Sequence, residues 1–368
     1  MRESRRVLLV TPNFENNSLG RTYCLWLLCR DLGWPARVVG VKGTRIWEPL
    51  AGSEMAADCR VPALGETRSE ILRALRAAVE WSEVVISVKV LATSLGVARE
   101  LVREGPRPLV ADIDDPDVEV RTTWRPWHER LPRLVLSGRY RAREQELRAL
   151  ARTVTELPRI VSNPVLHRMY GGVIIPHVRQ PEAQGQAATS TSPIVRFVGS
   201  PRAAKGVDTL REAVARLADR GYRLGITAPP PADARPWEEW FGTTTLEEGR
   251  RLVATADIVA LPSSTGGYSR AQLPAKLMDA MIQGRAVVAT DLEPIRWALG
   301  DPSLLVEPGS VDSLTRALLE LQDPKAREAI GTRLRERALK HFTVQANVSV
   351  FESVVGGAVD QFLSANRP

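Results

Sequence analysis

Two stretches of this 368-residue chain carry residue types suited to holding an anion, and a third carries carboxylates suited to acting on a substrate. The first, VRFVGSPRAAKGVDTL at 195–210, sets Gly199, Arg202, Lys205 and Gly206 between an apolar run and a helical pattern. Two cations and backbone amides beside a helix start make an anion site. The second, LPSSTGGYSRAQLPAKLMDAMIQGRAVVATD at 261–291, brings Gly266 and Gly267 ahead of Pro274, Lys276, Leu277 and Asp279. Glycines let backbone amides approach a ligand closely, and Pro274 suits the first helical position. Leu277, Met278, Met281 and Ile282 repeat at helical spacing, which leaves Lys276 and Asp279 on another face. A lysine in a first turn opposes the helix dipole unless a phosphate sits there; a solvated surface lysine is the plainer reading. The third stretch, ADIDDPD at 111–117, holds Asp112, Asp114 and Asp115. Helix capping and loop solvation account for such carboxylates equally well.

These side chains need a scaffold that collects loop ends, and the pattern supplies one. RVLLVT at 6–11, the run at 37–41, EVVISV at 83–88 and 108–113 read as strands that alternate with helical patterns, including one to about Asp31 and another capped by Thr93 or Ser94 and running to Glu104. Residues 181–192, PEAQGQAATSTS, lose apolar character and read as a linker. A second series follows: strands at 194–199, 222–227, 257–261 and from Ala286, with helices at 206–220 and 244–255, two more between 311 and 341, and a last at 345–364 whose Gly356 and Gly357 weaken its middle. Alternation of this kind predicts an α/β chain of two doubly wound sheets, with ligands at the strand C-terminal ends. The expected divisions are 1–180, linker 181–192, 193–344, and a C-terminal helix at 345–368 expected to pack back on the first domain.

Composition narrows the function class. Apolar and charged residues make up 44% and 25%, ordinary globular values. No apolar run reaches membrane-spanning length, and the basic start flows into Pro12 instead of a signal sequence, so a cytoplasmic protein is expected. Cys24, Cys29 and Cys59 lack metal or disulfide spacing and read as free thiols. The net charge of +7 lies in the first half, densest at 130–152, where seven arginines meet two glutamates. Beyond a solvated helix face, that segment suits weak contact with a membrane surface, which would make the protein peripheral to the membrane. No nucleic-acid module accompanies it, and nucleic acid is not expected as a partner.

The segments GSPRAAKG and DAMIQGRAVVAT resemble the retaining GT-B glycosyltransferases of the family-4 type, the glycosyl transferases group 1. The resemblance covers both halves and implies two Rossmann-like domains facing each other across a cleft, the first for the acceptor and the second for the nucleotide-sugar donor. It implies that Lys205 binds the donor diphosphate and Asp279 the ribose, with a donor set of Gly20, Gly199, Arg202, Lys205, Gly267, Lys276, Leu277 and Asp279. Gly20 would lie in a glycine loop, and Asp112, Asp114 or Asp115 near the reacting centre. His128 and His177 are weaker candidates, His177 at a hinge position. Ser200 replaces the usual arginine, with Arg202 as a displaced substitute, and Ala271 replaces the first of two acidic residues. The loss of that carboxylate points to a deoxy or otherwise modified donor sugar. Asp112 and Asp114 also spell the DxD pattern of metal-dependent transferases, but the resemblance implies no metal and no cofactor beyond the donor. The expected function is sugar transfer to an acceptor hydroxyl, on a small molecule or a lipid-linked acceptor, in natural-product (antibiotic) or cell-envelope biosynthesis. A sugar-nucleotide epimerase or hydrolase, or a catalytically inactive nucleotide-sugar-binding protein, is the alternative.

Overall fold

The computed structural model describes residues 4–60, 67–185, 190–199 and 203–366. The chain divides into two compact units, Met1–Val178 with Asn347–Pro368, and Arg179–Ala346. The break at 178/179 precedes the polar segment 181–192, and Glu182 already belongs to the second unit, where it pairs with Arg250 at 3.1 Å and accepts a hydrogen bond from Gln283.

The first unit is built on β1 (Val7–Thr11), β2 (Ala36–Gly40), β3 (Cys59–Arg60), β4 (Val84–Val88), β5 (Leu109–Ile113), β6 (Arg159–Val161) and β7 (Val173–Ile174), in the order β3-β2-β1-β4-β5-β6-β7. Every pairing is parallel. The strands VLLVT, VVISV and LVADI are buried along their whole length, as a sheet covered on both faces requires. In the second unit β8 (Ile194–Phe197), β9 (Arg223–Ile226), β10 (Glu238–Trp240), β11 (Ile258–Leu261), β12 (Ala286–Thr290) and β13 (Leu305–Val306) run in the order β10-β9-β8-β11-β12-β13, again all parallel. In each sheet the chain winds outward from one central strand and returns beside it, so the order reverses between β1 and β4 and between β8 and β11. Loops leaving those strands diverge there and open a crevice.

Local departures from the sequence expectation have local causes. The first helix starts at Ser18, so Gly20 stands in its first turn and not in a glycine loop. Pro274 is the residue before its helix, which runs Ala275–Ile282. A turn of π-helix, Ala92–Gly96, leads into the helix Val97–Glu104, and Ser94 caps nothing: its hydroxyl donates to the Lys89 carbonyl at 2.8 Å. The last helix is continuous over Val344–Ala365. Burial of Val348, Phe351, Val355, Ala358 and Val359 offsets the roughly 1 kcal/mol that each mid-helix glycine costs. The edge strand β10 was not legible, since Glu238, Glu239 and Trp240 lack strand alternation.

One ion pair ties the first unit together. Arg21, on the helix Ser18–Asp31, donates from Nε and Nη2 to both Asp112 oxygens at 2.6–3.1 Å. Its remaining donors reach the carbonyls of Ile175 and Pro176 at 2.9 and 2.8 Å. Both side chains are fully buried. Burial pushes the Asp112 carboxyl above its ordinary value although Arg21 opposes the shift. Removing one partner leaves a buried charge unmet, so Arg21→Met is expected to cost about 3–5 kcal/mol. Urea unfolding of the whole protein would show this, and the Arg21→Met/Asp112→Leu pair should recover most of the loss.

Candidate functional site

Of the second-unit residues marked in the sequence for an anion, those described gather near the C-terminal ends of β8 and β11. Gly206 has φ +66, and a Cβ built on it would overlap the carbonyl oxygen of Pro262. Only glycine permits both the left-handed backbone and this approach. The turn after β8 therefore touches the loop after β11 backbone to backbone, and the Ser264 amide adds a hydrogen bond to the Ala204 carbonyl at 2.9 Å. Lys205, half-buried beside that contact, donates from Nζ to Gln272 Oε1 at 2.9 Å. The Gly199 amide is occupied by Thr227 Oγ1 at 2.7 Å, and the same hydroxyl donates to the Gly199 carbonyl at 3.0 Å. Gly267 has φ +54, opens a single 3-10 turn and has open space where a Cβ would stand. Arg202 and Ser200 lie outside the described residues.

The helix Ala275–Ile282 carries the next members. Leu277 is fully buried in the core and its amide donates to the Pro274 carbonyl at 3.0 Å, so its side chain faces away from solvent. Lys276 Nζ lies 3.1 Å from Asp279 Oδ2, and Asp279 Oδ1 accepts a hydrogen bond from Arg179 Nε. Arg179 also donates from Nη2 to the Ala275 carbonyl at 3.0 Å. Its backbone is pinned by bonds to Phe342 and Val344, both 2.9 Å. Burial penalises the Asp279 charge, yet Arg179 and Lys276 outweigh that penalty and hold its carboxyl well below the usual carboxylate range. Of the trio, Lys276 is 26% exposed at its side chain and Asp279 only 2%.

In the first unit the carboxylates at the end of β5 meet cations. Lys89, one residue beyond β4, has φ +71, the one positive φ outside glycine among the described residues. Such a backbone costs energy and persists only where its surroundings hold it. Its amide bonds the Asp112 carbonyl at 2.8 Å, and its Nζ reaches Asp114 Oδ1 at 2.7 Å, Asp115 Oδ2, and Asp117 Oδ2 at 3.5 Å. Burial works against the Lys89 charge, but the three carboxylates raise its pKa well above the ordinary value. Asp117 is raised by burial. Asp112 and Asp114, the two acids of the DxD pattern, thus serve different cations, Arg21 and Lys89. Gly20 lies on the first helix with Trp47 beside it. His177 Nδ1 is 3.8 Å from Cys24 Sγ, and exposed His128 packs its ring edge-on to Trp127.

Four residues escaped the sequence reading: Arg21, Lys89, Arg179 and Gln272. A usable signal existed for two. Lys89 interrupts the apolar run VVISVKVL, and Arg21 sits in a helix otherwise rich in apolar residues. A charge in such surroundings demands a partner. Arg179 and Gln272 occupy polar contexts that carry no comparable mark.

Chemically, the second unit offers two cations, two glycine-bearing turns and an ionised carboxylate within one strand-end region, a set suited to a phosphorylated ligand with hydroxyl groups. Residues 192–323 match the family model described as glycosyl transferases group 1. No curated protein sequence matches the chain significantly. Among solved structures, HepE of Anabaena in complex with UDP-glucose is similar with a TM-score of 0.73 at 14% identity, covering 96% of this chain and 100% of that one. Sucrose-phosphate synthase of Thermosynechococcus elongatus follows with a TM-score of 0.69, 16% identity and coverage of 98% and 100%. The glycotransferase of kitacinnamycin gives 0.57, 16%, and 96% and 100%. The chain has the GT-B fold, and its second unit matches the glycosyl transferases group 1 over residues 192–323.

Proposed function

We propose that this protein is a glycosyltransferase that moves a sugar from a nucleoside-diphosphate donor to an acceptor hydroxyl, with retention at the anomeric carbon and without a metal. The observation that carries the reading is the paired turn at β8 and β11, where Gly206 meets Pro262 and Lys205 meets Gln272, inside the region that matches the group 1 family. Lys205 and Lys276 would stabilise the departing diphosphate, and most of the catalysis would come from position and charge. The acceptor oxygen attacks the anomeric carbon on the face the leaving group vacates, the bond to the diphosphate oxygen breaks, and that oxygen takes the acceptor proton. Asp114 and Asp115, held by Lys89, are proposed to act on the acceptor side, and Asp112 to position them through the backbone of β5.

Ala271 is fully buried where the family resemblance places a sugar-binding glutamate. The neighbouring polar side chain, Gln272, is turned to Lys205. The donor sugar is therefore proposed to lack, or to carry modified, the hydroxyl that the carboxylate would bind. Natural-product or cell-envelope glycosylation is proposed as its context. The same alanine favours a second reading, a nucleotide-sugar-binding protein without turnover, which product analysis separates from the first.

A thermal-shift screen against UDP, GDP, TDP and their sugars tests the donor, since a ligand that binds only the native state raises the melting temperature. A shift with nucleoside diphosphates is expected, and turnover with deoxy-sugar donors but not with UDP-glucose or UDP-GlcNAc. Turnover confined to the two ordinary sugars would end the modified-donor idea. Lys205→Ala and Lys276→Met should each weaken donor binding by about tenfold to a hundredfold, the range of a charge-assisted hydrogen bond, with the unliganded melting temperature near wild type for Lys205→Ala and lowered for Lys276→Met, which takes a partner from the buried Asp279. Unchanged affinity in both would remove the site assignment.

Asp279 has a separable signature. Because its folded pKa is depressed, the stability its charge contributes is present above the unfolded carboxyl pKa of about 4 and is lost as pH falls through the folded value. Asp279→Asn should therefore melt lower than wild type at neutral pH, with the gap constant above about pH 5 and narrowing in more acidic buffer. A gap that does not change with pH would show that the Arg179 and Lys276 contacts contribute no stability through the charge.

A further inference from the structure

Three large apolar side chains of the first unit stand in solvent on one helix. Trp127, Leu131 and Val135 are 75%, 53% and 66% exposed, and they fall four apart on the helix Trp127–Leu136, hence on one face. The helix Gly138–Val154 follows directly, and from it Arg141 donates by Nη1 to the Val135 carbonyl at 3.1 Å, at the end of the apolar stripe. Arg139 and Arg143, four apart on that second helix, are exposed as well, whereas exposed Arg133 falls on the far side of its own helix from the stripe. Between 121 and 152 nine arginines meet three glutamates, and one of those, Glu144, is already taken by Arg130 and Arg148. The sequence alone marked only the arginines from 130 onward; the apolar stripe begins before them.

We propose that this helix pair docks the protein on an anionic membrane surface, the stripe entering the headgroup boundary and the arginines meeting lipid phosphates. Among the described side chains the stripe is a single row of three, too narrow for the roughly 800 Å² per partner of a standard protein interface. A second copy of the chain would set the same arginines against each other, since a two-fold interface pairs one patch with itself, and like charges would oppose it. An anionic bilayer complements both features: tryptophan favours the interfacial zone, and each arginine near the surface adds attraction. Among the described residues no helix is long and apolar enough to cross a membrane, so the contact is with the surface. The inference stands whether or not the sugar-transfer reading holds.

Sedimentation of the full-length protein with vesicles of phosphatidylcholine alone, or mixed with phosphatidylglycerol, tests it. Binding is expected to the mixed vesicles at low salt, and to fall with added salt. Trp127→Ser/Leu131→Ser/Val135→Ser should weaken it by roughly tenfold or more, and Arg139→Gln/Arg143→Gln by about fivefold per arginine. The substituted side chains are exposed, so melting temperatures should stay near wild type; if the triple variant unfolds early, the arginine pair decides. Absence of binding to mixed vesicles at low salt would overturn the proposal. So would wild-type affinity in the variants, or a wild-type dimer in solution that the triple variant dissolves.

Discussion

A charge taken out of water has to be met by an opposite charge where it is buried, and three such meetings set the geometry at the strand ends of both units. Arg21 meets Asp112, 91 residues away in sequence; Lys89 meets Asp114, 25 away; Arg179 meets Asp279, 100 away. None of these pairs is local, so each closes a loop of chain. Once β4 and β5 lie side by side, with Val88 opposite Asp112, the Lys89 side chain is carried to the carboxylates that follow β5. The positive φ of Lys89 is then understandable: the amide is held by Asp112 and the ammonium by three acids, and the backbone yields.

The same requirement ranks the residues of the second unit. Asp279 is bound on one oxygen by Arg179 and on the other by Lys276, but a carboxylate offers about four acceptor positions, so the clamp fixes its direction without using up its capacity. Lys276 is the member that solvent reaches. Gly206 contributes differently. By allowing the turn after β8 to rest on Pro262, it removes any side chain from between the two loops.

Much of this was legible because it rests on short-range rules. Apolar runs such as VLLVT and AVVAT with helical patterns between them require parallel strands covered on both faces, and a parallel sheet sends every strand end to one edge. Lys205, Gly206 and Lys276 could be placed at that edge because turn chemistry is local. The partners were not legible. Which acid Lys89 serves, or that Arg179 reaches Asp279, depends on strand order and on the path of residues 342–344 beside Arg179, and no spacing rule carries that information. Gly20 misled for the opposite reason: a glycine near a strand-to-helix junction suggests a loop, whereas here Ser18 already begins the helix and the glycine is simply its third residue.

The first unit reverses the ordinary partition of side chains twice, burying charges at the end of β5 and exposing apolar groups on the helix Trp127–Leu136. The two reversals call for different explanations. Arg21, Lys89 and the acids around them are satisfied within the unit, so their burial is accounted for by the fold whatever else they do. Trp127, Leu131 and Val135 gain little from the fold: it leaves most of each side chain in water, where a scattered apolar residue is common but three on one stripe are not. A reason for the buried charges is found inside the molecule. On the proposal above the stripe is covered by an acidic surface, and the exposed arginines of the neighbouring helix are what would meet it.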